Sequence, residues 1–348
     1  METKIWDVRD YKNQLSDYPY INEIKDIFEQ GGLIALPTET VYGLGADARN
    51  DEAVKKIFEA KGRPSDNPLI VHIYDINDLK AFTTGLTEDV KLLMKHFWPG
   101  PISFILPLKE GYLCKRVSGG LASIAVRMPS HPIGREILRY VDMPIAAPSA
   151  NLSGRPSPTT FDHVFNDLAG RIDGIIHGDQ SEEGLESTVL DCTQFPFRIA
   201  RPGSITKTMI ESIIPNSIAT ETTLNIEQPI APGMKYKHYA PDTPIQIIEE
   251  LNGDTPISDK DWSHTAFILP KSKRNIVPKT AIFIPLCETE DDIKGANHNL
   301  YPILHQIDQE TTIENAYIYG FQINDSTTAI MNRMMKATNQ SIIKGEQL

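Results

Sequence analysis

A chain of 348 residues has the length of two domains, each large enough for its own core. Its 40% apolar and 23% charged residues suit a soluble globular protein, and 34 basic against 46 acidic side chains give a net charge of −12. That balance argues against a broad nucleic-acid-coating surface, though a local basic cleft remains open to it.

The first residues, Met1 to Asp7, lack the apolar core of a signal peptide, and no apolar run approaches the ~20 residues of a membrane span. Cys114, Cys192 and Cys287 are widely spaced and odd in number, which suits neither a zinc knuckle nor a disulfide framework. A soluble, cytoplasmic protein is expected.

In chain order, Ile21, Ile24, Ile27 and Phe28 recur at helical spacing, and Gly31-Gly32 end that helix. Leu33 to Leu36 predicts a short buried strand, followed by a polar turn with two glycines, Thr38 to Gly45. Asn50 or Asp51 caps a helix with Val54, Ile57 and Phe58 on one face, and this helix delivers Lys61. Gly62 gives it a sharp exit, while Pro64 and Pro68 hold Arg63 and Asn67 extended. Leu69 to Ile73 predicts a buried strand containing His72. The cations therefore sit on a stiff loop between a helix end and a strand. It is either a ligand-meeting loop or a plain surface connection with solvated charges.

A helix follows Thr87, Trp98-Pro99-Gly100-Pro101 breaks it, and strands are expected at Ile102 to Leu106 and at Ser123 to Met128, with Arg127 at the far end. Pro148 to Gly154 is a small-residue loop. A helix around Phe161 to Leu168 precedes short strands at Gly174 to His177, Ser187 to Asp191 and Phe197 to Ala200, the last ending at Arg201-Pro202-Gly203. Irregular alternation of short helices and strands predicts an α/β domain over residues 1–215 with a mixed, twisted sheet.

From Asn216 to Pro244 the apolar period disappears and prolines recur, which predicts an extended linker. Within it, Lys235, Lys237 and His238 interleave with Tyr236 and Tyr239, unusual for a passive tether. Residues 245–348 carry apolar runs at Ile245 to Ile248, Ala266 to Leu269, Ala281 to Leu286 and Ala316 to Tyr319, with helices near Asn299 to Asp308 and Thr327 to Ala337. This predicts a smaller open parallel α/β, Rossmann-like domain without a dinucleotide fingerprint, and so an accessory domain.

No P-loop and no His-Glu-x-x-His spacing occurs. Ser204-Ile205-Thr206-Lys207 fits Ser-x-x-Lys, but is read as a helix start capped by Ser204. What survives is a set of cations beside glycine or hydroxyl residues: Lys61, Arg63, Arg127 and Arg201. One reading is a single phosphate cavity, where guanidinium forks and backbone N–H groups hold the anion. The other is four separate surface ion pairs, each contributing roughly 0–1 kcal/mol.

Pro37 to Gly45, Lys61 to His72, Trp98 to Pro101, Val126 to Pro129, Pro148 to Gly154, Glu186 to Val189 and Arg201 to Gly203 together resemble the YrdC-like family. Pro232 to Pro241 is similar to its long, two-domain threonylcarbamoyl-AMP synthase form. The resemblance implies formation of threonylcarbamoyl-AMP and pyrophosphate from L-threonine, bicarbonate and ATP, with Mg²⁺ accompanying ATP. The product would pass to a separate tRNA-modifying threonylcarbamoyl transferase complex.

The resemblance also implies roles for residues. Lys61 and Arg63 would be catalytic, stabilising phosphate charge. Arg63, Asn67, Ser123, Ser149, Ser157, Arg201 and Tyr236 would line the nucleotide. Thr38, His72, Arg127, Ala147 and Ser187 would surround threonine. No protein metal ligands are expected. Two alternatives are an RNA-binding module and a carbamoyl-adenylate-forming enzyme acting on another amine; no tight nucleic-acid binding is expected from so acidic a chain.

Overall fold

The computed structural model describes residues 2–12, 14–220, 230, 238–251, 256–258 and 260–348. The chain divides into two compact units, the first built from residues 1–153, 157–182 and 186–236, the second from 154–156, 183–185 and 237–348.

Among the described residues the first unit holds ten strands: β1 (Lys4–Asp7), β2 (Ile34–Leu36), β3 (Gly43–Asp47), β4 (Ile70–His72), β5 (Ile102–Pro107), β6 (Ser123–Arg127), β7 (Ile145–Ala146), β8 (Gly174–His177), β9 (Thr188–Asp191) and β10 (Arg198–Arg201). They form one mixed sheet in the order β1-β8-β2-β3-β7-β4-β6-β5-β9-β10, as the irregular alternation of short elements predicts. Pairs such as β4/β6 and β5/β9 are parallel, while β5/β6 and β9/β10 are antiparallel.

The two faces of this sheet are covered unequally. One face packs on the helices Asp51–Lys61, Glu88–Phe97, Phe161–Leu168 and Lys207–Ile213 through a large apolar core that includes Val54, Leu93, Val164 and Ile210. The other face is covered at the β2–β7 side by helices Ile21–Glu29 and Pro132–Val141, which contribute Ile24, Phe28, Ile133 and Ile137. Over β4, β6, β5, β9 and β10 the described residues place on that same face only a small cluster of Ile70, Ile105, Ala125, Val189 and Ala200, with Ile230 against it. An amphipathic sheet half left without a helical layer is where a ligand finds room.

Several local expectations are corrected. The turn predicted over Thr38 to Gly45 stops at Tyr42, and Gly43 already begins β3. Gly45 serves close strand packing there, since a Cβ would lie 2.9 Å from both Leu36 and Ile145. The helix after Ser204 is capped by Thr206, whose side chain accepts the Met209 amide. As expected, Asn50 caps Asp51–Lys61, and Gly62 leaves it at φ 62°.

The second unit is a five-stranded parallel sheet of β11 (Ile245–Glu249), β12 (Thr265–Leu269), β13 (Ile282–Pro285), β14 (Asn315–Tyr319) and β15 (Ile342–Lys344), in the order β13-β12-β14-β11-β15. It has the predicted open parallel form, with β15 as an unanticipated edge strand. Its helix Ile293–Gln309 begins under an Asp292 cap, ahead of the expected Asn299. Among the described residues no helix is long and apolar enough to cross a membrane.

Candidate functional site

Strand register assembles the site. Across β4, β6 and β5 it aligns His72, Arg127 and Ser103, and continues through Val189 on β9 to Arg201 on β10. Residues paired side by side point to the same face. The next row on that face is Ile70, Ala125, Ile105, Asp191 and Arg198. Two residues separate the rows on β4, β6, β5 and β9, about 7 Å at the rise of a strand, and three on β10, where the register shifts between Ile199 and Arg201. A further two residues along β6 stands Ser123.

At the His72 end the polar groups are buried and joined. Arg127 Nη2 lies 2.6 Å from Glu39 Oε1, and its Nη1 donates to Thr40 Oγ1 at 2.7 Å. Thr40 Oγ1 lies 3.0 Å from Thr38 Oγ1. Burial drives the Glu39 carboxyl upward, but the Arg127 charge and hydrogen bond outweigh it and hold it below the usual range. His72 is buried, and neither ring nitrogen has a partner in hydrogen-bond geometry among the described residues. Burial, with the nearby Arg127 charge adding to it, pushes the imidazole down to about 3, so it is neutral at physiological pH.

Ser103 Oγ lies 2.8 Å from Ser187 Oγ, which ties the row to the loop before β9. Arg201 donates to the Ser187 carbonyl from Nε at 3.1 Å and from Nη2 at 3.0 Å, and to the Ser187 hydroxyl at 3.2 Å. Ser157 donates to Glu186, the neighbour of Ser187. Ala147 is buried, and its amide donates to the Ile70 carbonyl at 3.0 Å, so it follows β7 along the same face.

At the opposite end of the strands lie the cations of the stiff loop. β7 runs antiparallel to β4, so Ser149 lies beyond Ile70, at the end where Asn67 enters β4 and Ser123 begins β6. Lys61 is 3% exposed and its ammonium donates to the carbonyls of Ser149 and Asn151. Burial pushes that ammonium well below its ordinary value, the Arg63 charge adds to this, and Asp167 opposes it. Arg63 Nη2 donates to the Pro68 carbonyl at 3.2 Å, stiffening the loop. Asn67 is 1% exposed, and its Oδ1 has no hydrogen-bond partner among the described residues.

Thr38, His72, Arg127, Ser157, Ser187 and Arg201 thus gather at one end of the bare sheet half, and Lys61, Arg63, Asn67, Ser123 and Ser149 at the other. Tyr236 lies outside the described residues. Glu39, Thr40 and Ser103 were not singled out by motif. The available signal for Glu39 was a carboxylate placed between Thr38 and the apolar Val41-Tyr42; for Ser103 it was a hydroxyl inside the apolar run Ile102 to Leu106. Among the described residues no group of three or more His, Cys, Asp or Glu side chains forms a metal cage.

The chain belongs to the Sua5/YciO/YrdC family. Residues 26–203 match its profile, described as "Telomere recombination". Residues 205–339 match a second profile, "Threonylcarbamoyl-AMP synthase, C-terminal domain", which makes this the two-domain form. The Bacillus subtilis (strain 168) protein named "Threonylcarbamoyl-AMP synthase" is 42% identical over 99% of this chain and 100% of its own. A protein of the same name from Pyrococcus abyssi (strain GE5 / Orsay) is 38% identical over 90% of this chain and 93% of its own. The solved structure described as "Crystal structure of P. abyssi Sua5 complexed with L-threonine" superposes with a TM-score of 0.85 at 35% identity, covering 98% of this chain and 99% of that one.

Proposed function

We propose that the chain is an L-threonylcarbamoyladenylate synthase, which forms threonylcarbamoyl-AMP and pyrophosphate from L-threonine, bicarbonate and ATP. The observation that carries this reading is the register split. The groups suited to an amino acid lie in the His72–Arg127 row, and the cations Lys61 and Arg63 lie on the loop that enters β4 at the opposite end.

The neutral threonine amine takes up carbon dioxide derived from bicarbonate and loses a proton, giving a carbamate. A carbamate oxygen then attacks the α-phosphorus of ATP, the bond to the β-phosphate oxygen breaks, and pyrophosphate leaves. No covalent enzyme nucleophile is required, so positioning and charge stabilisation do the work.

A guanidinium carries five N–H donors. Arg127 directs two of them at Thr40 and the Gly100 carbonyl and pairs by charge with Glu39 through Nη2, which leaves N–H donors on both terminal nitrogens for the threonine carboxylate. Neutral His72 offers a hydrogen-bond acceptor without competing for the substrate's proton. Thr38, Ala147 and Ser187 complete the threonine side. The Ala147 methyl can meet the threonine methyl, a contact worth only ~1–3 kcal/mol against serine.

Lys61 spends two of its three N–H donors on Ser149 and Asn151 and aims the third at phosphate, with Arg63 beside it. Asn67, Ser123 and Ser149 line the nucleotide, and Arg201 and Ser157 stand where the α-phosphate meets the carbamate. Mg²⁺ would enter as part of the ATP substrate. The product would be consumed by a separate tRNA threonylcarbamoyl transferase.

The test is pyrophosphate release from ATP across a panel of amino acids, with and without bicarbonate. Release that requires both threonine and bicarbonate is the expected result. Release with another amine in place of threonine would reassign the substrate. No turnover together with tight, salt-dependent tRNA binding would make the chain an RNA-binding module.

A further inference from the structure

On the β5–β9–β10 side of the bare half-face the sheet opens into a hollow of about 390 Å³, whose lining includes Ile105, Ser123, Asp191, Gln194, Pro196 and Arg198. Its place follows from register. Val189 stands opposite Arg201, and Asp191 opposite Arg198, so the hollow lies one step along the face from the Arg201–Ser187 contact.

The charges in this hollow cancel. Asp191 Oδ2 accepts from Arg198 Nη2 at 2.9 Å, and Oδ1 accepts from the Thr193 amide and hydroxyl at 3.1 and 2.6 Å. A triphosphate would be repelled by the carboxylate and would find the guanidinium already engaged. An uncharged group with hydroxyls is met differently. Asp191 Oδ2 keeps an acceptor site, while Arg198 Nε is buried without a hydrogen-bond partner among the described residues. An acceptor and a donor side by side, with Ile105 and Pro196 as apolar walls, match a pair of adjacent hydroxyls on a ring.

We propose that this hollow takes the nucleoside end of ATP and that Asp191 and Arg198 read its ribose: Asp191 accepts from one hydroxyl, and Arg198 Nε donates to the oxygen of the other. This rests on the nucleotide reading above. Arg198 also holds the Asp191 carboxylate in place, and Thr193 fixes its rotation.

The experiment compares ATP, 2′-deoxy-ATP and 3′-deoxy-ATP with the full-length chain, by initial rates of pyrophosphate release and by calorimetric binding without threonine. The wild-type chain should prefer ATP over at least one deoxynucleotide by about ten- to a hundredfold, the range of one hydrogen bond to a charged group. Asp191→Asn should raise the KM for ATP by a similar factor and bring the deoxynucleotide ratio near unity, with the effect on ATP rather than on threonine. Arg198→Lys keeps the charge but lacks the Nε–H, and should narrow the ratio in the same direction if Asp191→Asn folds poorly. Unchanged deoxynucleotide ratios in both variants would overturn the proposal. So would loss of preference for ATP over GTP with the ribose ratios intact, because Asp191 would then read the base. A wild-type chain that binds ATP with ribose discrimination yet releases no threonine-dependent pyrophosphate would sink the functional reading and leave the hollow's assignment standing.

Discussion

Glu39, in the turn between β2 and β3, meets Arg127 at the end of β6 at 2.6 Å, with side chains only 7% and 5% exposed. A guanidinium this deep is tolerable only with a counter-charge, and Glu39 supplies it while Thr40 and Gly100 fix the fork. Removing the carboxylate leaves a buried, unpaired cation. Glu39→Gln is therefore expected to destabilise the fold by about 3–5 kcal/mol in urea unfolding. In the surviving folded enzyme the KM for threonine should rise more than the KM for ATP. Equal changes in the two constants would show that Glu39 supports the whole sheet rather than the amino-acid end.

His72 gives a prediction in pH. Its folded-state value, about 3, lies below the ordinary 6.5, so between those values the unfolded chain binds the extra proton. Stability from this group is fully present above pH 6.5 and is lost as pH falls toward 3. The wild-type chain should lose up to about 1.4 kcal/mol per pH unit more than His72→Gln within that window. Unfolding free energies at several pH values between 4 and 8 measure the difference. Parallel curves would mean that His72 is not a buried neutral imidazole.

Lys61 and Arg63 act at the other end. Lys61→Met keeps the length and apolar stem but removes the ammonium that bridges the Ser149 and Asn151 carbonyls. Loss of one preorganised donor at a charge-developing site typically costs about 10²–10³ in kcat. Threonine-dependent pyrophosphate release should fall by that factor in Lys61→Met and in Arg63→Ala, with threonine binding retained. Near-normal turnover in either variant would remove that residue from the catalytic step.

Local pattern reveals some of this architecture and conceals the rest for physical reasons. The helix Phe161–Leu168 and the strands at Gly174–His177 and Ile102–Pro107 are legible because apolar spacing and breakers act over a few residues. β1 is not, since only Trp6 among its four residues is buried. The strand at Gly43–Asp47 hides behind its two glycines, whose value lies in close neighbours, Ala147 at Gly43 and Leu36 and Ile145 at Gly45. Motif resemblance places Thr38, Arg127 and Arg201 in one site. It says nothing of Ser103 or Asp191, which join it through pairings between strands distant in sequence. Register is a long-range property, and it sets which of these residues stand at the same end of the strands.

Gly203 tests whether that division depends on a close backbone approach. A Cβ there would lie 2.3 Å from the Thr188 amide nitrogen and 2.8 Å from the Ser187 carbonyl carbon, both main-chain atoms that cannot rotate away. Gly203→Ala must therefore push the start of β9 off the loop after β10. That shift would stretch the hydrogen bonds from Arg201 to Ser187 and the contact between Ser187 and Ser103. Overpacking of this kind costs about 1–3 kcal/mol in stability. The enzyme should remain folded but lose pyrophosphate release by more than tenfold if Arg201 acts at the α-phosphate as proposed, since its seat on Ser187 is lost. Gly62→Ala is the control, because a Cβ at that exposed helix exit meets nothing within 4 Å and the cost is confined to its positive φ of 62°. Full activity in Gly203→Ala would mean that the Arg201–Ser187 geometry is not required for turnover.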